Sequence, residues 1–248
     1  MSAPHNPCAL VPTYDNPLTV RAVIERIHAA GLDVILIDDG SHKPGLEACR
    51  SLEQDGLVTL RRLEVNSGKG AALLHGFQLA HELGYTHAFQ IDADAQHDLQ
   101  RIPAFLEASR TEPAAAILGY PIYDEKVPFA RRWGRLFTAM WVNLEVASTK
   151  KIADALIGFR IYPVAAALAC KPSCQRMGID IELAVGMVRA GTPTQNMPVG
   201  VTYPSPEEGG ISHFHMLKDN LRFSALHARL CTAGCFRWLG RLVGVKAR

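Results

Sequence analysis

The chain has 248 residues, 48% of them apolar and 20% charged, with a formal net charge of +2. This composition can bury a sizeable core and excludes a wholly disordered chain, and no run of about 18 apolar residues is present to cross a membrane as a helix. The charge is unevenly spread: residues 210–248 hold seven Lys and Arg against Asp219 alone, whereas the residues before them are net acidic.

The first residues, Met1-Ser-Ala-Pro-His-Asn-Pro7, carry no basic stretch ahead of an apolar one, so the chain reads as soluble and cytosolic. Ala9–Pro12 predicts a short buried strand, followed by a helix with Val20, Val23, Ile24 and Ile27 on one face and Gly31 at its end. Val34–Ile37 predicts a strand buried on both faces. A helix over Gly45–Gln54, a strand over Val58–Leu63, a helix over Ala71–Leu83 and a strand over His87–Ile91 continue the alternation. Asp98 is placed to cap a helix over Leu99–Ser109, and Ala115–Leu118 predicts the next strand. Strands alternating with helices imply an α/β fold with a mainly parallel sheet covered on both faces.

Beyond Gly119 the pattern predicts a helix over Phe129–Thr149, a strand over Phe159–Tyr162, a helix over Ile181–Ala190, a strand over Gln195–Val201 and a long helix from Ser212 to about Ala233. The domain is expected to span residues 1–210, with 211–248 as a basic helical appendage. The six cysteines lack the paired spacing of a zinc site and read as inert thiols.

Open α/β sheets bind ligands beyond the carboxyl ends of their strands. Here those ends carry Pro12-Thr-Tyr14-Asp15, Asp38-Asp39-Gly-Ser41, Asn66-Ser-Gly-Lys69-Gly70 and Asp92-Ala-Asp94-Ala-Gln96-His97-Asp98. Any one alone reads as a capped or solvated turn, but the four together converge on one crevice. In an extended segment Asp92, Asp94 and Gln96 would project to one face, where hard oxygen donors suit Mg²⁺ or Mn²⁺ and through it a diphosphate leaving group. Lys69 between two glycines would set a cation and backbone N–H groups near phosphate.

This ordered set resembles the family 2 glycosyltransferases on the GT-A (Rossmann-like) fold, and most of all their dolichol- and polyprenol-phosphate sugar synthase branch. Asp154-Ala-Leu-Ile-Gly-Phe-Arg160 is similar to that branch's Asp-x-x-x-Gly-Phe-Arg segment. The resemblance implies an inverting, divalent-metal-dependent transferase that takes one sugar from a UDP- or GDP-linked donor to a lipid-linked or amphipathic acceptor. By position, Pro12, Tyr14, Asp15, Asp38 and Asp39 would line the nucleoside pocket, with Asp39 on the base. Asp92, Asp94 and Gln96 match the Asp-x-Asp-x-Gln metal and diphosphate segment, Asp94 foremost. The branch's Arg after the fifth strand is Gly119-Tyr-Pro121 here, and its basic Arg-x-x-Gly-x-Ser-Lys-like stretch reads Glu207-Glu-Gly-Gly-Ile-Ser-His213-Phe214, which argues against a polyprenyl-phosphate acceptor. The stretch from Tyr203 through His213 to Arg222 more nearly resembles bacterial family 2 enzymes of aryl-polyene and pigment-lipid biosynthesis.

A hydroxyl acceptor needs a general base, whereas a phosphate acceptor is already ionised. Asp180 and then Glu182, in Met177-Gly-Ile-Asp180-Ile-Glu182, are the candidate bases, and both also suit a helix N-terminus. His213, Arg131, Arg132 and Arg135 are candidates for acceptor or phosphate contacts. The basic residues Arg222, Arg229, Arg237, Arg241 and Arg248, with Leu226, Leu230 and Trp238, predict attachment to an anionic membrane on its cytoplasmic face; the alternative is a helix docked on the domain over Leu217–Leu230 with only the basic end free. Two rivals are a GT-A sugar nucleotidyltransferase, whose Gly-rich basic loop after the first strand is absent here, and a non-catalytic membrane scaffold. Nothing predicts nucleic-acid binding.

Overall fold

The computed structural model describes residues 4–123, 129–146, 152–202 and 224–232, less the side chains of 129–134 and 136–137. Seven strands form one sheet: β1 (Pro7–Thr13), β2 (Val34–Asp38), β3 (Thr59–Arg62), β4 (His87–Ile91), β5 (Ala116–Tyr123), β6 (Phe159–Pro163) and β7 (Thr194–Val201), in the order β3-β2-β1-β4-β6-β5-β7. β6 alone runs against its neighbours, pairing antiparallel with both β4 and β5. The helices are α1 (Val20–Ala29), α2 (Lys43–Gln54), α3 (Lys69–Glu82), α4 (Ile102–Thr111), α5 (Phe129–Val146), α6 (Val164–Ala169) and α7 (Ile179–Arg189), and residues 224–232 are also helical.

Period-two alternation along the strands divides the core between the two faces. Cys8, Leu10, Ile35, Ile37, Ala88 and Tyr162 face α3, α6, α7 and the 224–232 helix, which adds Leu226 and Leu230. Ala9, Val11, Val34, Leu36, Phe89 and Ile91 face α1, α2 and α4. Burial leaves Cys8 and Cys49 as free thiols whose pKa is pushed up to about 12, chemically inert as expected.

The alternation of strand and helix follows the sequence expectation, with instructive departures. β5 continues to Tyr123 because its whole length finds a parallel partner in β7. α6 is a short apolar turn of helix after β6 that periodicity alone does not separate from a strand. α3 begins at Lys69 and not at Ala71. Of the long helix expected over 212–233, residues 212–223 and 233 lie outside the described residues, as do His213 and the stretch compared with the pigment-lipid enzymes.

Close approach fixes the start of α3. A Cβ on Gly70 would lie 2.1 Å from the carbonyl oxygen of Cys174, and one on Gly68 would lie 2.5 Å from that of Gln175. The Ala71 N–H donates to the Gln175 carbonyl at 3.0 Å. Both partners are backbone, so neither yields by a rotamer change. Gly70→Ala should therefore lower the unfolding free energy by about 1–3 kcal/mol, the usual range for overpacking, measured by urea denaturation.

Candidate active site

β2, β1 and β4 are parallel neighbours, so their carboxyl ends open on one edge of the sheet. After β1 the chain turns at Asp15 with φ +51°, a left-handed conformation. Ser41 Oγ accepts from the Asp15 N–H at 2.9 Å, while the Asp15 carboxylate accepts from the His42 N–H at 2.8 Å and its Nδ1 at 2.6 Å. The Tyr14 and His42 rings lie 6.0 Å apart. This corner is the partly open wall of the crevice. Pro12 is buried within β1 opposite Ile37.

The two acids after β2 are turned into the protein. Asp38 is 0% exposed, and its carboxylate accepts from the Ser41 N–H at 2.9 Å and pairs with Arg62. These contacts close the β2 turn. Asp39 accepts from the Ser67 and Gly68 N–H groups, each at 2.7 Å, and so ties the β2 turn to the loop before α3. Burial raises the Asp39 pKa against the lowering effect of those two N–H groups.

Residues 92–98 form a turn and not the extended segment that alternation assumed. Asp94 Oδ1 accepts from the Gln96 N–H at 3.1 Å, and Ala95 takes φ +58° between them. The Gln96 carbonyl accepts from Thr202 N–H at 2.9 Å, and Asp98 caps the following 3₁₀ turn by accepting from Gln100 N–H at 3.0 Å. Asp94 is half-buried in this turn. Asp92 is wedged deeper: a Cβ on Gly158 would come within 2.1 Å of its Oδ2. Among the described residues no three His, Cys, Asp or Glu side chains gather as a complete metal shell. Mg²⁺ is commonly held by one or two carboxylates and completed by substrate phosphates, and Asp94 with Asp92 fits that donor set.

His97 was given no role by sequence reasoning. Its ring packs 5.4 Å from Phe159, its Nδ1 is buried without a partner, and burial lowers its pKa although Asp92 and Asp94 pull the other way. A polar residue next to Gln96 in the acidic turn was the available signal.

Behind Asp92 lies a buried charge network. The Lys69 ammonium is 2.7 Å from Asp92 Oδ1 and 3.1 Å from Asp180 Oδ2. Burial works against the Lys69 charge, but the Asp180 and Asp92 carboxylates outweigh it and raise its pKa. Asp180, 1% exposed in the first turn of α7, also accepts from Gln90 Nε2 at 2.8 Å. Arg160 is fully buried and donates to the carbonyls of Asp180 at 2.8 Å and Asp154 at 3.0 Å. The Asp154 carboxylate accepts from the Leu156 and Ile157 N–H groups at 2.8 Å and from Arg135 at 2.9 Å. The Asp154–Arg160 segment is thus a folded brace between β6, α5 and α7.

The second candidate base points elsewhere. Glu182 accepts from the Ser173 N–H at 2.9 Å, the Cys174 N–H at 2.7 Å and Arg229 Nη2 at 2.8 Å. Arg229 is therefore tied to the domain, as are Leu226 and Leu230 in the core, and His227 pairs with buried Glu145 at 2.7 Å. These four side chains dock the 224–232 helix on the domain, in favour of the docked alternative for Leu226 and Leu230 and against their meeting a membrane. The side chains of Arg131 and Arg132 and the basic residues after 232 lie outside the described residues. Among the described residues no helix is long and apolar enough to cross a membrane.

The mostly parallel seven-stranded sheet with helices on both faces is of the GT-A fold class. The chain belongs to glycosyl transferase family 2, whose family model matches residues 8–169. It is 26% identical over 167 residues to the undecaprenyl-phosphate mannosyltransferase of Micrococcus luteus, covering 62% of this chain and 64% of that one. It is 34% identical over 110 residues to the undecaprenyl-phosphate 4-deoxy-4-formamido-L-arabinose transferase of Aeromonas hydrophila, covering 40% of this chain and 32% of that one. The match spans less than two thirds of the length of either relative. In structure, the fold is similar to glucosyl-3-phosphoglycerate synthase from Mycobacterium tuberculosis in complex with uridine diphosphate, with a TM-score of 0.67 at 16% identity over 93% of this chain and 80% of that one.

Two substitutions separate the roles of the acids. Asp94→Ala, at a half-buried carboxylate outside the core, should abolish Mn²⁺-dependent nucleotide binding in calorimetry while melting like the wild type. Asp39→Ala strands two buried N–H groups, so it should lower the unfolding free energy by about 1–3 kcal/mol in urea as well as weaken nucleotide binding.

Proposed function

We propose that the chain is a glycosyltransferase that moves one sugar, with inversion, from a nucleotide-sugar donor to a lipid-linked or amphipathic acceptor whose nucleophile is a phosphate. The observation that carries the donor half is the half-buried Asp94, beside Asp92, at the carboxyl edge of β4 in a family 2 chain. The Tyr14–Asp15 corner would flank the nucleoside, and Asp39 would reach the base from the loop it clamps. A divalent cation, Mg²⁺ or Mn²⁺, would neutralise the departing diphosphate. The fold neighbour from Mycobacterium tuberculosis has been solved with Mn²⁺ and UDP-glucose, which supports a uridine donor without deciding against GDP.

The acceptor half follows from where the acids go. A hydroxyl acceptor needs a carboxylate within reach of its proton. Asp180 is buried against Lys69 and Gln90, and Glu182 is bound to a loop and Arg229. An acceptor that arrives ionised asks nothing of either, and the Micrococcus and Aeromonas relatives are undecaprenyl-phosphate transferases by name. This weighs more than the missing arginines at Gly119–Pro121 and near Glu207. One displacement at the anomeric carbon by a phosphate oxygen, opposite the leaving diphosphate, inverts the configuration.

We place the catalytic domain at 1–210, with 211–248 joined to it through the docked 224–232 helix. The remaining basic residues, Arg237, Arg241, Lys246 and Arg248, would draw the enzyme to an anionic cytoplasmic leaflet at about 1 kcal/mol each.

The decisive experiment offers UDP- and GDP-sugars with Mn²⁺ to polyprenyl phosphate and to the matching polyprenol. Transfer is expected to the phosphate alone, and transfer to the alcohol would reverse the acceptor reading. In liposome flotation at low salt, the full chain should rise with anionic vesicles and a 1–232 truncation should not. Equal flotation would remove the basic segment from any membrane role.

A further inference from the structure

The Lys69 ammonium is shared between a carboxylate on the donor edge and one on α7, and neither partner is free to drift. Asp92 is backed by Gly158, where any side chain would overlap its carboxylate. Asp180 is held through its other oxygen by Gln90 Nε2 at 2.8 Å and through its carbonyl by Arg160 at 2.8 Å. Lys69 itself begins α3, between the two glycines packed on residues 174–176. One cation between two fixed anions leaves the trio with a net single negative charge at the crevice.

We propose that Asp180 is a positioning residue of the donor site. By drawing part of the Lys69 ammonium, it leaves the Asp92 carboxylate with uncompensated negative charge to offer the donor's divalent cation. Lys69 already lies 2.7 and 3.0 Å from the two Asp92 oxygens, so without the Asp180 charge its whole positive charge falls to Asp92 and competes with the metal. The inference rests on the reading that Asp92 and Asp94 receive a metal–diphosphate, and it assigns Asp180 to that half of the reaction instead of to the acceptor's proton.

The sign of the effect makes it testable without any acceptor. Binding of UDP, and of GDP in parallel, is titrated calorimetrically in saturating Mn²⁺ with the full-length chain, and each variant is first checked by its thermal melt. Asp180→Asn, which keeps the shape, accepts from Lys69 through its one oxygen and can donate to Gln90 Oε1 once that amide turns over, should weaken Mn²⁺-dependent nucleotide binding about 10- to 100-fold, the range seen when outer-shell partners of metal ligands are removed. Adding Lys69→Gln to Asp180→Asn restores the net charge of the trio without leaving a lone buried ion, so the double variant should recover most of the affinity. A general-base or purely packing role for Asp180 predicts no such recovery.

Binding by Asp180→Asn within about twofold of wild type would overturn the proposal, and with lost transfer it would return Asp180 to the role of base. Weakened binding that the double variant fails to recover would also overturn it, in favour of a packing role. If the wild type bound neither nucleotide in Mn²⁺, the donor reading itself would fall, a result distinct from either of these.

Discussion

An ammonium group removed from water has to be met by opposite charge, and the way Lys69 is met organises the crevice. Its partners come from β4 and α7, while it stands at the head of α3, so three elements distant in sequence are held at one point. Such buried pairs add little to stability compared with a well-packed apolar substitute, but breaking one leaves an uncompensated ion and is costly. The network therefore constrains geometry more than it adds stability. Gln90 and Arg160 complete it by occupying the remaining atoms of Asp180.

Around that point the backbone is packed so tightly that glycine becomes a structural requirement. Gly68 and Gly70 admit residues 174–176 against the start of α3, Gly158 admits the Asp92 carboxylate, and Gly40, at φ +76°, would carry a Cβ 2.7 Å from the Asn66 nitrogen. The motifs that read as phosphate-cradling loops are in this chain also the places where chain segments touch. Asp39 shows the same dual character, with both oxygens accepting backbone N–H groups of the loop beside the crevice.

The order of strands and helices was legible because burial on both faces writes apolar runs into β1 and β2, and helical periodicity into α1 and α2. The location of the site was legible because polar residues at the ends of buried strands have few other reasons to be there. The direction of each carboxylate was not. Nothing local says that Asp38 turns in toward Arg62, that Asp180 lies under Lys69, or that Glu182 is met by Arg229, since each partner is far away in sequence. The acidic turn was misjudged for a different reason: an Asp that caps its own turn at Gln96 replaces the strand geometry on which alternation depends. Docking of residues 224–232 was one of two readings of the sequence, and the choice stayed open because a basic amphipathic helix looks the same whether its apolar side meets lipid or a protein core.

The antiparallel β6 lies between β4 and β5, so its first residues, and not its last, sit at the edge where the parallel strands end. The Asp154–Gly158 brace thereby borders the acidic turn from the far half of the chain. The sheet is in effect divided into two modules that share one rim. The first half, through β4, carries Asp15, Asp39 and Lys69 on one side, while the segment before β6 and the first turn of α7 bring Gly158 and Asp180 up from the other. Changes in α7 or in the Asp154–Gly158 segment would reshape that side of the rim while leaving the registers of β1 with β2 and with β4 untouched, so the two sides can change separately.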